Sequence, residues 1–241
     1  MLIKTRGIVF RSIKYSETSL ICDVYTEELG LQSYIISGVR SKNAKVKASL
    51  LQVMSLLDIV AYNKNNTNLN RTKELKSALI YQSIPFDIVK SSVGIFMIEL
   101  ARNTIKEKET NKPLFEYLFN SFVLLDALEE GVANMHLFFA VNLCGFLGFL
   151  PSGQYSSRTP YFDLQEGSFV SLRPKHYHFI SDKTAELLSI LLTLNPTELH
   201  IVKAERATRF ALAEKLITYY QLHLEDLPPL HSHEILKEVL S

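Results

Sequence analysis

Basic side chains in the first 80 residues are the groups best suited to chemistry with a partner. They form three clusters: Lys4, Arg6, Arg11 and Lys14, then Arg40, Lys42, Lys45 and Lys47, then Arg71, Lys73 and Lys76. Lysine and arginine neutralise phosphate charges, and aromatic rings beside them stack on unpaired bases. The rings in this part of the chain include Phe10, Tyr15, Tyr25 and Tyr34. The pattern predicts contact with a polyanion such as nucleic acid.

The segment 40–47 carries the densest part of this pattern. It contains four basic residues and no acidic residue in eight positions, and it lies between two predicted strands, where binding residues are common. The predicted nucleic-acid-binding set is Arg6, Arg11, Lys14, Tyr34, Arg40, Lys42, Lys45, Lys47, Arg71 and Lys73. The alternative interpretation is a solvated basic loop that keeps a small barrel soluble.

Charge is divided unevenly along the 241 residues. Residues 1–80 contain 12 Lys and Arg against 6 Asp and Glu, which gives +6, whereas residues 81–241 contain 14 against 19, which gives −5. The length suits one large domain or two ordinary domains of roughly 100–200 residues each. The uneven charge favours two domains with different partners.

Motifs of known catalytic chemistry are absent from the sequence. It contains no GxxxxGK[ST], GxGxxG, GxSxG or HExxH pattern, and each of these patterns places the groups that a particular reaction needs. We therefore predict no catalytic residue and no cofactor. An enzyme whose site is assembled from distant loops stays open as an alternative, because such a site is recognised by geometry.

Cysteine and histidine spacing does not favour a metal site. Cys22 and Cys144 are too few for a four-cysteine zinc site or a disulfide framework, and their apolar surroundings predict buried, reduced thiols. His176 and His178 lie two residues apart without a CxxC partner. We predict no bound metal.

A weaker candidate is a cleft for an acidic partner peptide in the second half. Arg102, Lys106 and Lys112 follow the apolar stripe that ends at Leu100 and Ala101, and a peptide with an apolar end could lie in such a cleft. The alternative is an ordinary charged helix end, because single surface charges are common.

Strand periodicity dominates the first 80 residues. Around Leu20, Cys22 and Val24 the apolar residues alternate with polar ones, so that one face of the strand is buried. The predicted strands cover residues 2–13, 19–26, 32–38, 50–62 and 71–80, with a hairpin turn at 27–30 and polar loops at 41–47 and 63–70. Five short strands in this length suit a barrel of the OB type.

Helical periodicity replaces this pattern after residue 80. Helices are predicted over residues 84–101, 113–125, 134–149, 184–194, 206–222 and 234–240. The predicted fold class is therefore α+β with two domains. An OB-fold β-barrel covers 1–80, and an α-helical domain covers 81–241 with a small irregular insertion at 152–180.

Several ordered motifs resemble those of the bacterial recombination and repair mediator family RecO. They are Gly7-Ile8-Val9-Phe10-Arg11, Tyr15-Ser16-Glu17-Thr18-Ser19-Leu20, Ser37-Gly38-Val39-Arg40, Leu50-Leu51-Gln52, Leu147-Gly148-Phe149-Leu150-Pro151, Tyr161-Phe162-Asp163 and the C-terminal Ser232-His233-Glu234-Ile235-Leu236. Each motif is short, but together they cover nearly the whole chain in the family's order.

The resemblance implies a function in DNA repair. It implies binding of single- and double-stranded DNA, annealing of complementary strands, and partnership with RecR and with the acidic C-terminal tail of single-stranded DNA-binding protein. Together these activities help to load the RecA recombinase. An adaptor that binds repair proteins without touching DNA is the alternative.

One departure from the family concerns zinc. Many members carry a four-cysteine zinc module after the LGFLP-like motif, whereas residues 152–177 here contain no cysteine. The insertion at 152–180 is therefore expected to hold together by packing of Tyr155, Tyr161, Phe162 and Phe169.

The expected location is the cytoplasm, in association with the nucleoid. Residues 1–7 lack the apolar core of a signal peptide, and no apolar run approaches the ~20 residues of a membrane-spanning helix.

Overall fold

The computed structural model describes residues 2–39, 46–62, 69–106 and 108–240. The chain forms two compact units. The barrel unit comprises Met1–Gln82 and Ile105–Asp126, and the helical unit comprises Ser83–Thr104 and Ala127–Ser241. The predicted division into domains 1–80 and 81–241 stays a prediction. In space, a helical segment beyond residue 80, 105–126, packs with the strands.

The secondary structure of both units follows the sequence periodicity closely. The strands are β1 Leu2–Lys14, β2 Leu20–Thr26, β3 Gly30–Ile36, β4 Leu56–Tyr62, β5 Asn70–Leu79, β6 Tyr161–Asp163, β7 Ser168–Val170 and β8 Phe179–Ile180. The α-helices are α1 Ile88–Thr104, α2 Lys112–Ala127, α3 Val132–Phe146, α4 Asp182–Thr193, α5 Arg206–His223 and α6 Ser232–Val239. Short 3₁₀ turns lie at Ala48–Leu51, Ile84–Phe86 and Pro196–Ile201.

Strands β1 to β5 form a closed barrel. The strand order is β1-β2-β3-β5-β4, and β1 closes the barrel by pairing with both β2 and β4. Strands β3 and β5 are parallel, whereas the other neighbours are antiparallel. This is the predicted OB-type barrel, and the predicted α+β fold class is confirmed.

The barrel is filled by the apolar side of each strand. Cys22 and Val24 point inward and are almost fully buried, as their alternation with Asp23 predicts. The interior also contains Val9, Tyr34, Ile36, Val39, Leu51, Leu57, Ile59, Ala61 and Leu75. Because every second residue faces outward, the outer surface of the barrel is available for a partner wherever helical residues do not cover it.

The predicted strand over 50–62 is interrupted before β4. Met54 has a left-handed backbone (φ 76°), and its N–H donates to the carbonyl of Val9 at 2.9 Å. The N–H of Val9 in turn donates to the carbonyl of Ser55 at 3.0 Å. These bonds turn the chain sharply, so that pairing with β1 begins only at Leu56.

Helix α2 belongs to the barrel unit and covers its aromatic side. The ring of Phe115 on α2 is fully buried, and its centroid lies 6.2 Å from that of Tyr25 on β2. Gly30 at the end of the β2–β3 turn has φ +62° and lies directly against the backbone of Lys108 and Glu109. Only glycine accommodates both the left-handed backbone and this close approach.

Helix α3 lies at the centre of the helical unit, as its nearly continuous apolar sequence predicts. It contacts α1, α4 and α5, and ten of its fifteen residues are buried. Asn134 near its start donates from Nδ2 to the carbonyls of Leu199 and Val202, each at 3.1 Å. The helix therefore ties together segments that are distant in the sequence.

The insertion at 152–180 is more regular than predicted, because β6, β7 and β8 form a three-stranded antiparallel sheet in the order β7-β6-β8. Phe162 and Phe169 are directly opposite each other and pack edge to face with centroids 5.0 Å apart. Phe162 also contacts the ring of Tyr219 on α5 at 5.8 Å. Aromatic packing thus holds this sheet in place.

Within the described residues, no helix is long and apolar enough to span a membrane.

Candidate nucleic-acid interface

An apolar strip crosses the outer side of three neighbouring strands of the barrel. Ile13 on β1 is opposite Ile21 on β2, and Ile21 is opposite Ile35 on β3. We call these three residues the isoleucine row. Arg71 on β5 is the next residue along, opposite Ile35. Ile13 is 39% exposed, so the row offers partly accessible apolar surface that ends in a cation.

A polar row runs beside the isoleucine row on the same strands. Arg11 is opposite Asp23, and Asp23 is opposite Ser33. The hydroxyl of Ser33 donates to Asp23 Oδ1 at 2.6 Å, whereas Arg11 Nη1 lies 3.8 Å from Asp23 Oδ2. The Arg11 side chain is half exposed and its ion pair is long, so its guanidinium can also reach a phosphate. The two rows and Arg71 together form what we call the β1–β2–β3 face.

Arg6 has a structural role inside the barrel unit. Its Nε and Nη2 atoms donate to both carboxylate oxygens of Glu27, at 2.9 and 3.0 Å, and Nη2 also pairs with Glu116 on α2. Its guanidinium lies over the rings of Phe115 and Phe119, at 5.2 and 4.9 Å from their centroids. These partners raise the pKa of Arg6 and lower the pKa of Glu27. Arg6 therefore holds the barrel unit together, and we do not propose it as a phosphate contact.

The outer side of β1, β4 and β5 carries charges of both signs. Across these strands Arg6 is opposite Asp58, which is opposite Lys76, and Lys4 is opposite Val60, which is opposite Glu74. With Glu27, the hollow on this side has three cations and three carboxylates. Carboxylates repel phosphate, so this mixed face suits a nucleic-acid backbone poorly and serves as a matched control surface.

The aromatic candidates differ in accessibility. Tyr34 is 1% exposed and lies inside the barrel, and burial raises its pKa to about 12. A closed barrel leaves no ring face for a base, so Tyr34 is a core residue and we do not propose that it stacks on a base. Phe10 and Tyr25 are equally buried and stack on each other at 5.5 Å. Of the four rings considered, Tyr15 in the β1–β2 turn is the accessible one, at 61% exposed.

The remaining predicted cations of the barrel occupy several places. Lys14 lies at the end of β1 beside Tyr15, Lys47 precedes the turn at Ala48–Leu51, and Lys73 lies in the irregular part of β5. All three lysines are exposed. Arg40, Lys42 and Lys45 lie outside the described residues, so the structure does not test the densest part of the basic pattern.

The three residues predicted for a partner peptide are divided between the units. Arg102 is exposed near the end of α1 in the helical unit, whereas Lys106 and Lys112 belong to the barrel unit. Lys112 Nζ lies 2.6 Å from Glu28 Oε1 in an exposed ion pair. The structure describes no single surface that contains these three residues, so the peptide cleft stays a prediction.

The insertion does not fit a structural zinc ion. A structural zinc site needs four donors, usually with thiolates among them. Here His176 Nε2 lies 3.2 Å from Asp163 Oδ2, and residues 152–180 contain no cysteine. Nowhere in the described ranges do three His, Cys, Asp or Glu side chains come together as a metal site.

Both cysteines are buried thiols, as predicted. Burial raises the pKa of Cys22 and raises that of Cys144 to about 12. A thiol in this state carries little thiolate at neutral pH and is a poor nucleophile.

Sequence reasoning missed the isoleucine row. A signal for it exists in β2, where Ile21 occupies the same face as Asp23 rather than the core face of Cys22. An apolar residue on the polar face of an alternating strand marks surface that can be buried by a partner.

Comparison with known proteins gives one consistent result. Residues 1–81 match the family model described as Recombination protein O N terminal, and residues 85–234 match Recombination protein O C terminal. The chain is 36% identical over 241 residues to the DNA repair protein RecO of Phocaeicola vulgatus, with 100% of both chains covered. It is 38% identical over 240 residues to that of Bacteroides fragilis, with 99% of both covered.

Proposed function

Because the chain belongs to the RecO family of DNA repair proteins, we propose that it is a non-enzymatic, DNA-binding mediator of recombinational repair. The observation that carries this proposal is the β1–β2–β3 face, where a partly exposed isoleucine row ends at Arg71 and runs beside the row that begins at Arg11. Cations hold the phosphates, and the apolar strip contacts bases or sugars.

Annealing follows from the same electrostatics. Two DNA strands repel each other through their phosphates, and cations beside them reduce this repulsion. Neither step needs a cofactor or nucleotide hydrolysis. We include Arg40, Lys42, Lys45 and Lys47 in the proposed DNA contact, because this basic segment follows β3 in the chain.

The proposal also includes protein partners. RecR, RecA loading and the acidic tail of single-stranded DNA-binding protein enter through the family resemblance. Arg102 is the exposed cation of the helical unit that we assign to the tail. It lies one turn from Glu99, whose carboxylate accepts from the backbone of Ser232 at 2.8 Å.

The experiment is the salt dependence of binding to a fluorescently labelled oligothymidylate. Arg11→Ser with Arg71→Ser removes two cations from the β1–β2–β3 face, whereas Lys4→Ser with Lys76→Ser removes two from the mixed face. The first pair should lower the slope of log affinity against log salt by about 1.4, at roughly 0.7 for each lost single-strand contact. The second pair should leave the slope nearly unchanged.

Two results would contradict the proposal. Equal slopes for both pairs and the parent would remove the β1–β2–β3 face from the interface. Absence of DNA binding by the parent, together with binding of the tail peptide or RecR, would favour the protein adaptor instead. Circular dichroism of each variant checks that the fold is retained.

A further inference from the structure

The loop between β7 and β8, residues 171–178, is an exposed part of the insertion in the helical unit. It contains Arg173, Lys175 and Tyr177, and Tyr177 is 92% exposed. From Gly167 to Ser181 the sequence has no Asp or Glu. The loop is thus a cationic and aromatic surface within the half of the chain whose net charge is negative.

The ends of the loop are held at fixed positions. The Arg173 guanidinium lies over the Phe179 ring at 5.1 Å, and Phe179 packs edge to face against Tyr161 at 5.9 Å. Phe179 is also paired with Asp163 across β8 and β6. Arg173 is therefore oriented by an aromatic stack, and this exposed residue makes no ion pair among the described residues.

Tyr177 is anchored on both sides. The preceding residue, His176, contacts Asp163, with Nε2 and Oδ2 3.2 Å apart. The carbonyl of the following residue, His178, accepts from the N–H of Leu164 at 2.9 Å. Because His176 contacts Asp163 on β6 and His178 is hydrogen-bonded to Leu164, the backbone of Tyr177 is fixed while its ring projects into solvent. A ring presented in this way loses little conformational entropy on binding.

Single-stranded DNA is the occupant that this chemistry recognises. Phosphates suit Arg173 and Lys175, since the loop contains no carboxylate that competes for them. An exposed ring between cations stacks on an unpaired base, whereas the bases of a duplex already stack on one another.

We propose that the loop 171–178 is a second single-strand contact, in which Tyr177 stacks on a base and Arg173 and Lys175 hold the flanking phosphates. This inference rests on the proposed DNA-binding function and places a separate contact on the helical unit. A chain with a contact on each unit can engage two strands or two parts of one strand. The proposed contact of the loop with DNA does not depend on a bound zinc ion.

The first test uses tryptophan as a reporter, because the chain contains none. Tyr177→Trp introduces a single indole on the loop, and Phe86→Trp introduces a matched control at a site that is 85% exposed in the same unit. Titration with oligothymidylate should quench the emission of the Tyr177→Trp variant strongly and saturably, because stacking on a base quenches indole emission. The emission of the Phe86→Trp variant should change little.

The second test measures affinity in the full-length protein. Tyr177→Ala should weaken binding to oligothymidylate at least about fivefold and leave duplex binding nearly unchanged. Arg173→Ser with Lys175→Ser should lower the salt slope by about 1.4. The control pair Lys183→Ser with Lys237→Ser removes the same charge from exposed ion pairs with Glu205 and Glu214 and should retain the parent slope.

The outcomes separate this inference from the proposed function. If labelled oligothymidylate binds but the Tyr177→Trp variant is not quenched and Tyr177→Ala binds normally, the loop contact is refuted while DNA binding by the barrel unit stands. If the parent binds no DNA, both proposals fail. Equal weakening of single-strand and duplex binding by Tyr177→Ala would refute base stacking.

Discussion

Buried His136 should make the stability of the helical unit depend on pH. The side chain lies on α3 and is 1% exposed. It packs edge to face against Phe96 at 5.8 Å. Burial, with a smaller contribution from the charge of Arg209, lowers its pKa from 6.5 to about 3. The folded protein therefore keeps this imidazole neutral at pH values where the unfolded chain is protonated.

The size of the effect follows from the two pKa values. At pH values between the folded and the unfolded pKa, the unfolded state binds one more proton than the folded state. The free energy of unfolding therefore has its full value above the unfolded pKa and decreases as the pH is lowered below it. The decrease is about 1.4 kcal/mol per pH unit. With a folded pKa of about 3, the free energy of unfolding decreases by about 2 kcal/mol between pH ~7.5 and pH ~5.

Urea unfolding followed by circular dichroism at several pH values measures this decrease. His136→Leu removes the titrating group at similar volume and should flatten the profile between pH ~5 and pH ~7.5. Glu27 and Glu99 have lowered pKa values in the folded protein. Their contribution to the free energy of unfolding decreases only below their unfolded pKa, near pH ~4.5. His200→Leu, at an exposed histidine, should keep the parent slope. An unchanged slope in His136→Leu would refute the reasoning.

Three further substitutions test the barrel unit and the capping of α6. Tyr34→Phe removes a buried hydroxyl that has no partner among the described residues and should raise the free energy of unfolding by up to about 1 kcal/mol without changing DNA affinity; a loss of DNA binding would return Tyr34 to the interface. Gly30→Ala forces a left-handed alanine against the backbone of Glu109 and should cost at least about 2 kcal/mol in urea unfolding; parent-like stability would show that the Lys108–Glu109 backbone does not lie against Gly30. Glu99→Gln weakens the acceptor for the backbone and hydroxyl of Ser232 at the start of α6 and should speed amide exchange in α6, whereas unchanged protection would show that another contact holds the helix.

The barrel was predictable because its information is local. Alternation around Cys22 and Val24 defines which side of β2 is buried, and the Glu27–Gly30 turn defines the register of β2 against β3. The helices were similarly readable, since α3 is apolar on nearly every side and has to be central. These patterns depend only on near neighbours in the sequence.

The interface was only partly predictable because it depends on distant partners. Arg6 has the same residue type as Arg11, but it pairs with Glu116, 110 positions away, which no local pattern reveals. Phe115 follows ordinary helical spacing, and the sequence cannot show that it faces β2 rather than α1. Tyr34 and Tyr15 are likewise the same residue type, but Tyr34 lies on β3 inside the barrel whereas Tyr15 lies in the exposed β1–β2 turn.

The position of DNA on the barrel is the central claim, and the isoleucine methyl groups report on it directly. Methyl-labelled isoleucines are followed by NMR during titration with oligothymidylate. Ile13, Ile21 and Ile35 should shift together and saturably, whereas Ile59 inside the barrel and Ile190 on α4 should stay near their free positions. Shifts at Ile190 with the isoleucine row unmoved at saturating DNA would contradict the account.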